Sequence, residues 1–393
     1  MNDPKNSECK PKKALSILLF GSQITTGGAQ RVLLDQASKF IEAGDQVQAV
    51  FYYDKDELLS DWKKKYSFQI SVVSKYSRNG SKIVNLFHVF SGFHHLCSLI
   101  RSFKPDVIEC FTHDANLIGI PAAWLCGVKC RVGTHHGQFI GLNGFKKKIH
   151  TALINSKMTS CLVCVSARAE KQALSEGVHF QKIRTIYNGI QSVNVNAELR
   201  KETRLLLGLD NQTKMVLNVG RLVPEKAQSL LIKAASEITL TNPDIYFFIA
   251  GDGPLHQNLE ENIRKNNLEK KFILLGNRTD IGALLNAADL FVLYSATEGM
   301  PIALMEAMSA GVPLVASSLE GIQELVPDDT YGTLIPFGNP KLLSEAITLA
   351  LSNSKKSRIQ AENSQKRISE LFSLDKSCES YRKIFLHFIS NKC

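Results

Sequence analysis

Residues 294–317 read YSATEGMPIALMEAMSAGVPLVAS, and the runs 289–294 and 312–316 at the two ends have the composition of buried strands. The segment 301–310 between them has the composition of a helix. A proline at the start of that segment and Gly311 just after it are the residues expected at the two ends of a helix. The stretch therefore predicts a strand, a tight loop, a helix and a second parallel strand, joined by a right-handed crossover.

Two acids in this stretch, Glu298 and Glu306, lie eight residues apart. The first ends the loop, and the second lies about 7 Å along the helix from Pro301. In a doubly wound sheet the ligand binds at the carboxyl ends of the strands, beside a helix N-terminus, so one acid can contact a sugar while the other reaches ribose hydroxyls. A phosphate between them would meet the N–H groups of the helix N-terminus. Those N–H groups belong to Gly299, Met300 and Ile302.

This spacing resembles the E-x7-E motif of retaining glycosyltransferases of family four, which have the GT-B fold. The resemblance implies an α/β protein with two Rossmann-like doubly wound domains that face each other across a cleft. It implies that Glu298 lies near the donor sugar as a catalytic residue and that Glu306 binds the donor ribose. After the first acid the chain has Gly299-Met300-Pro301, the G-x-P variant of the family text. The alternative, a loop glutamate and a surface helix glutamate in water, is disfavoured by the apolar neighbours of Glu306.

Alternating strand and helix patterns along the rest of the chain indicate parallel, doubly wound sheets. The resemblance extends over residues 14–390 and adds a last helix that crosses back to the first domain. We expect four parts, bounded as follows: a disordered lysine-rich tail at 1–13, an acceptor-side domain at 14–192, a nucleotide-sugar-binding domain at 193–372, and the crossover helix at 373–393.

The first half carries candidate site residues at the carboxyl ends of its predicted strands. Gly27 and Gly28 form a glycine-rich loop that lets backbone approach a ligand, and the loop resembles the family's G-G-A-x-R/E text. His136 follows another strand; a histidine here is as often structural, but the resemblance makes it a catalytic residue near the acceptor and the donor sugar. The adjacent His135 remains an alternative for that role. Further candidates in this half are His113, Asp114 and Asn188.

The second half begins with a strand that delivers Arg221 and Lys226 to its carboxyl end. Arginine as a fork and lysine as a point charge suit a diphosphate, and a pair of surface cations is the alternative. The segment GRLVPEK closely resembles the family motif that holds the donor diphosphate. The resemblance also places Gly253 and Arg278 in the substrate site, the latter near the nucleotide base.

The composition is that of an ordinary globular protein of 393 residues, 44% hydrophobic and 21% charged, which is long enough for two domains. A net charge of +10 favours anionic partners. No window approaches the ~20 apolar residues of a spanning helix, and no apolar signal core precedes the first strand. The nine cysteines lack the ligand spacing of a zinc site, so we expect reduced thiols and a cytoplasmic protein.

The segment 145–154 reads FKKKIHTALI and is both basic and apolar. It can be a solvated helix face, or a surface for anionic lipid headgroups or a lipid-diphosphate acceptor. The second interpretation predicts peripheral binding to the inner face of the cytoplasmic membrane.

Together these features predict retaining transfer of a sugar from a nucleoside-diphosphate sugar to a lipid-linked or saccharide acceptor. The resemblance associates this activity with synthesis of lipopolysaccharide, capsule or exopolysaccharide. We expect no metal, no cofactor and no nucleic acid partner, because the predicted cations and helix N-terminus already supply positive charge to the leaving diphosphate. A nucleotide-sugar epimerase on the same fold and a non-catalytic nucleotide-binding homologue are the alternatives.

Overall fold

A computed structural model describes residues 14–25, 27–75, 82–137 and 144–390, with the side chains of 82–86 left aside. The predicted tail 1–13 lies outside the described residues. Two parallel sheets organise the chain, and helices connect their strands in the predicted alternation. The predicted pair of doubly wound α/β domains is therefore confirmed.

The first sheet has seven strands in the order β3-β2-β1-β4-β5-β6-β7. The order reverses beside β1, because the chain goes from β3 back past β1 to β4, and this is where a doubly wound sheet opens a crevice. Its strands and helices are β1 (Ser16–Ile24), α1 (Gly28–Glu42), β2 (Gln46–Asp54), α2 (Leu59–Lys65), β3 (Gln69–Val72), α3 (Lys82–Phe103), β4 (Val107–Phe111), α4 (His113–Leu125), β5 (Cys130–His135), α5 (Gly144–Asn155), β6 (Cys161–Cys164), α6 (Ala167–Ser175) and β7 (Ile183–Thr185).

The second sheet has six strands in the order β10-β9-β8-β11-β12-β13, with the same kind of reversal beside β8. Its strands and helices, with the last helix of the chain, are α7 (Ala197–Leu206), β8 (Lys214–Val219), α8 (Gln228–Thr241), β9 (Ile245–Ala250), α9 (His256–Lys265), β10 (Phe272–Leu274), α10 (Ile281–Ala287), β11 (Leu290–Leu293), α11 (Ile302–Ser309), β12 (Leu314–Ser317), α12 (Glu320–Gln323), β13 (Thr333–Ile335), α13 (Pro340–Ser352), α14 (Ser354–Leu371) and α15 (Leu374–Ser390).

Helices cover both faces of each sheet, which is why the strands read as continuous apolar runs. In the first domain α1, α2 and α15 share one core with the sheet, and α3 to α6 share the other. In the second domain α10, α11, α12 and α14 pack on one face, and α8, α9 and α13 pack on the other. The helices do not cover the carboxyl ends of the strands. The candidate site therefore forms at the carboxyl ends of β8 and β11 in the second sheet and of β1, β4 and β5 in the first.

The chain passes between the domains twice, and the two passages lie side by side. Ile190 donates its N–H to the Phe372 carbonyl at 3.0 Å and accepts from the N–H of Leu374 at 3.0 Å. Beyond this point α15 packs on the first domain, where Arg382 forms a buried ion pair with Asp45. The predicted crossover helix is thus present. The exact limits 14–192, 193–372 and 373–393 remain our proposal.

The unit at 294–317 has the predicted order of strand, loop, helix and strand. The helix is shorter than the predicted 301–310, because Pro301 has an extended backbone and caps the helix instead of forming its first turn. β11 and β12 pair in parallel, with Val292 opposite Val315.

Candidate functional site

Glu298 lies in the loop between β11 and α11 and is 8% exposed. Lys226 ends a short 3-10 turn after β8, and its Nζ donates to Glu298 Oε1 at 2.6 Å. Because β8 and β11 are neighbours in the sheet, the predicted diphosphate cation and the predicted sugar-side acid meet at one point. A buried carboxylate needs such a partner, and the lysine is thereby held in place before any ligand arrives.

Backbone atoms of both domains meet at Gly299. A Cβ on this residue would lie 3.0 Å from the His136 carbonyl oxygen of the first domain. Gly137 has φ +92, a conformation that favours glycine, and its own Cβ position is 3.5 Å from Gly299 Cα. On the other side a Cβ on Gly321 would lie 1.7 Å from the Gly299 oxygen, so only glycine fits at that position of α12. The Glu298 loop is therefore clamped between the two domains.

Glu306 points from α11 towards the start of α1. Its Oε1 is 4.0 Å from Nη2 of Arg31, whose Nε donates to Asp35 at 2.8 Å. Burial raises the pKa of Glu306, and the arginine opposes that rise. A Cβ on Gly28 would be 3.5 Å from Ile302 Cγ1, so the predicted glycine loop does face the N-terminus of α11.

Three further predicted residues of the second domain, Arg221, Gly253 and Arg278, follow β8, β9 and β10. Arg221 is exposed directly after the β8 turn. Gly253 packs so closely on Leu222 that a Cβ would come within 2.6 Å of its carbonyl oxygen, which gives this glycine a packing reason of its own. Arg278 is exposed, and its guanidinium donates to both oxygens of Asp280, at 2.8 and 2.6 Å.

His135 and His136 occupy different environments at the end of β5. His135 is fully buried, and its Nδ1 accepts the N–H of Gly137 at 3.1 Å. His136 is half-buried and stacks on Phe111, with ring centroids 5.7 Å apart. Thr134 Oγ1 donates to the carbonyl of the preceding strand and lies 3.0 Å from His136 Nε2. The contact of His136 with Gly299 is made by its backbone carbonyl oxygen, which lies 3.0 Å from the Cβ position of that glycine.

Four histidines are close together at this end of the first domain. The ring of His113 is 4.5 Å from that of His150 and 5.1 Å from that of His135. Burial lowers the pKa of His136 and of His150 to about 4. Burial, followed by repulsion from His150 and His136, lowers the pKa of His135 to about 3, and the pKa of His113 falls further for the same kinds of reason. All four rings are therefore neutral at physiological pH.

Two predicted residues lie at the margins of this arrangement. Asp114 is exposed in the first turn of α4. Asn188 is buried beside the double passage between the domains, where Gly189 packs on Leu374. Within the part of the chain that the structure describes, no group of three or more histidine, cysteine, aspartate or glutamate side chains could hold a metal ion. Among the same residues no helix is long and apolar enough to cross a membrane.

The sequence did not point to Arg168, which begins α6 of the first domain. Its Nη1 donates to the Glu298 carbonyl oxygen, and its Nε lies 3.4 Å from Glu320 Oε2. The position of Arg168 just after β6, at the carboxyl edge of the sheet, was the one available indication of this role.

Comparison with known proteins places both domains in one group. The family model described as Glycosyl transferases group 1 matches residues 200–367, and the model described as Glycosyltransferase Family 4 matches residues 26–192. An Escherichia coli protein, UDP-Gal:alpha-D-GlcNAc-diphosphoundecaprenol alpha-1,3-galactosyltransferase, is 30% identical over 308 residues, 76% of this chain and 79% of that protein. The amylovoran biosynthesis glycosyltransferase AmsK of Erwinia amylovora is 31% identical over 202 residues, 49% of this chain and 48% of that protein.

The crystal structure of Anabaena Alr3699/HepE in complex with UDP-glucose matches with a TM-score of 0.80 at 22% identity, over 95% of this chain and 99% of that chain. This likeness extends over both domains and the passage between them. The chain therefore belongs to the group 1 glycosyltransferases of family 4, and its two facing doubly wound domains form the GT-B fold.

Proposed function

We propose that the protein transfers a sugar, with retention of anomeric configuration, from a nucleoside-diphosphate sugar to a lipid-linked or saccharide acceptor in the synthesis of a cell-surface polysaccharide. The observation that carries this proposal is the ion pair of Lys226 with Glu298, 2.6 Å long, at the point where both domains meet the N-terminus of α11. The named substrates of the Escherichia coli relative, a UDP-sugar and a diphosphoundecaprenol-linked sugar, support this choice of donor and acceptor.

The donor diphosphate would bind between Lys226, Arg221 and the first N–H groups of α11. Phosphate oxygens are strong acceptors for a charged donor, so the diphosphate would share Lys226 with Glu298 and draw in the exposed Arg221. These groups then stabilise the charge that the leaving diphosphate gains in the transition state. Because positive charge is already supplied, we propose that transfer needs no metal. The backbone donors are those of Gly299, Met300 and Ile302, held by Pro301.

The ribose, the sugar and the base of the donor would contact residues on both sides of the cleft. Glu306 would accept from the ribose hydroxyls, and ribose would then replace Arg31 as its nearest polar neighbour. Gly27 and Gly28 would approach the phosphates or the sugar from the first domain. The remaining substrate contacts of the proposal, towards the base and the acceptor, are Gly253, Arg278, Asp114 and Asn188.

Glu298 and His136 would flank the reacting sugar carbon from the two domains. The neutral ring of His136, whose pKa burial lowers to about 4, would offer its unprotonated nitrogen as an acceptor for a hydroxyl hydrogen. Glu298 contributes negative charge near the developing oxocarbenium ion. Since Glu298 is already paired with Lys226, we assign it electrostatic stabilisation and propose no covalent intermediate.

An anionic membrane surface is the proposed location of the acceptor. α3, α4 and α5 lie on one face of the first sheet, and the first half of α5 presents Phe145, 72% exposed, beside the exposed Lys146 and Lys148. Lys147 is half-buried, and its Nζ lies 3.9 Å from Glu176 Oε1. On the same face of the sheet α3 presents Phe87 and Phe90, 69% and 68% exposed. Aromatic rings among lysines suit the headgroup region of an anionic bilayer, and each lysine contributes about 1 kcal/mol there at low salt.

A vesicle experiment tests the membrane part of the proposal. Binding to vesicles that contain phosphatidylglycerol should weaken at high salt and should weaken when Lys146, Lys147 and Lys148 are all changed to Gln. The matched control changes Lys63, Lys64 and Lys65 of α2, three exposed lysines on the opposite face of the sheet, and should bind almost as wild type does. Failure to bind anionic vesicles at low salt would mean a soluble acceptor and a solvated α5 face.

A donor panel tests the reaction itself. The protein is incubated with labelled UDP- and GDP-sugars and a lipid-diphosphate sugar acceptor, with and without EDTA, and the products are separated. We expect free nucleoside diphosphate together with an acceptor glycosylated in the donor's anomeric configuration. An epimeric sugar nucleotide would identify an epimerase, an inverted product would exclude retention, and binding without turnover would identify a non-catalytic homologue. Activity lost in EDTA and restored by magnesium would contradict metal independence.

A further inference from the structure

Helix α6 of the first domain is capped by a residue of the second domain. The carboxylate of Glu324 accepts from the backbone N–H groups of Ala167 and Arg168, each at 2.8 Å. Ser166, the residue before the helix, accepts from Ala169 N at 3.0 Å. The first turn of α6 thus shares its N–H groups between a local cap and an interdomain one. A carboxylate at a helix N-terminus is favourable both as an acceptor and because of the helix dipole.

The side chain of Arg168 continues the contact into the site. Its Nη1 donates to the carbonyl oxygen of Glu298, and its Nε is 3.4 Å from Glu320. The same residue is therefore held by Glu324 through its backbone and holds the Glu298 loop through its guanidinium. Because the Glu298 carboxylate is paired with Lys226, a shift of the loop would move both charged groups of the donor site.

Contacts within the second domain hold the Glu324 end of this contact in place. Arg367 of α14 donates to the carbonyl oxygens of Glu324, at 3.0 Å, and Leu325, at 2.9 Å. Its guanidinium lies over Tyr331 and over Phe372, the residue whose carbonyl bonds to Ile190 at the double passage between the domains. Since that passage is where the chain joins the two domains, rotation about it would separate Arg168 and Glu324.

We propose that Arg168 and Glu324 form an interdomain latch that holds the Glu298 loop in its working position only when the cleft is closed. Arg168 is then a positioning residue for the transfer proposed above, on which this inference rests. The latch forms between backbone N–H groups and a carboxylate, so it adds affinity between the domains without occupying the donor site. Closure of the cleft and placement of the Glu298 loop are then coupled.

Kinetics of four variants test the latch. Arg168→Ala and Glu324→Ala should each lower kcat about tenfold or more and change the donor KM by a smaller factor, because most of the proposed diphosphate and ribose contacts belong to the second domain and remain there when the cleft opens. Arg168→Lys should recover part of kcat, since a lysine keeps one charged donor in reach. Ser166→Ala is the matched control: it weakens the same helix end without touching the second domain and should leave kcat within about twofold.

A second measurement does not depend on turnover. The radius of gyration from small-angle X-ray scattering, taken with saturating UDP, should be larger for Arg168→Ala and Glu324→Ala than for wild type and Ser166→Ala. Wild-type kcat and compactness in both latch variants would overturn the inference, and so would equal losses in Ser166→Ala, which would reduce the effect to stability of α6. If the wild-type protein transfers no sugar, the proposed function fails, while the scattering comparison still decides whether the latch exists.

Discussion

The loop region around Glu298 in the second domain and the histidine cluster of the first domain are in opposite electrostatic states. The second domain holds paired charges, Lys226 with Glu298 and Arg278 with Asp280. The first domain holds a cluster of histidines whose pKa values burial lowers, so that they remain neutral. Preformed charges suit a charged nucleotide, because the site does not have to reorganise when charge develops. A neutral ring such as that of the half-buried His136 suits the uncharged hydroxyl group of an acceptor. We therefore propose that the second domain recognises the donor and the first domain the acceptor.

Replacement of the loop acid should have the largest effect. Glu298→Gln should lower kcat about 100-fold, because a charged group beside the reacting carbon acts mainly on the transition state. The donor KM should change less than about threefold. Donor titrations at saturating acceptor measure both values. Asp280→Asn, which breaks the other ion pair of this domain at an exposed position, is the matched control and should cost much less. A change in KM alone would assign Glu298 to ground-state binding.

Loss of the diphosphate cation should come next. Lys226→Ala should lower turnover at least tenfold, since a charge-assisted hydrogen bond contributes about 1.5–3 kcal/mol. Thermal melts should show a folded protein. Lys271→Ala, which removes a lysine that lies over Tyr246 on the edge of the same sheet, serves as the control for loss of charge. Unchanged kinetics in Lys226→Ala would remove this residue from the site.

Glu306→Gln should act on binding instead of turnover. A ribose contact is similar in the ground and transition states, so the donor KM should rise about tenfold, within the 1–3 kcal/mol of a lost charged partner. Burial raises the pKa of Glu306, so its ionised form is a cost to the folded state at neutral pH. The neutral glutamine should therefore not lower the melting temperature. A fall in kcat alone would mean that the roles of the two acids are reversed.

Acid should weaken the first domain through its histidines. Burial lowers the pKa of His150 to about 4, below the unfolded value of about 6.5. Its stabilising contribution is therefore complete above about pH 6.5 and is lost as the pH falls towards 4, by up to about 1.4 kcal/mol per pH unit. Urea unfolding from pH 7 to 4.5 should show the wild-type protein losing its advantage over His150→Gln. His179→Gln, at an exposed position in the same domain, gives the baseline. A constant difference across this range would mean that His150 is not buried in neutral form.

The βαβ unit around Glu298 could be predicted closely because residues within the segment itself determine its strands and its helix. A proline, a glycine and two apolar runs specify the helix ends and the strands, and only the role of Pro301 as a cap shifted the boundary. The residues that we propose for the donor site could also be selected from the sequence, because most of them directly follow a strand. The pairing of Lys226 with Glu298 could not be predicted, because it depends on which strands become neighbours in the sheet.

The contacts between the domains could not be predicted from the sequence. Arg168 and Glu324 are 156 residues apart, and neither belongs to a spacing pattern that links them. The sequence leaves the site histidine open between His135 and His136, and His136 remains our proposal for that role. Alternation along a strand states that they face opposite sides, but only the packed sheet determines which side is the interior.

The return of α15 to the first domain has a consequence for how the protein is made. Arg382 and Asp45 are 337 residues apart, and Phe385 packs on Phe40 of α1. During translation the second domain is synthesised before α15 becomes available to cover the face of the first sheet on which α1 packs. Until then, part of the apolar core of the nascent first domain remains exposed to solvent. Incompletely folded domains in this state are prone to aggregation and are bound by chaperones. Folding of the first domain is thus completed last, although its residues are synthesised first.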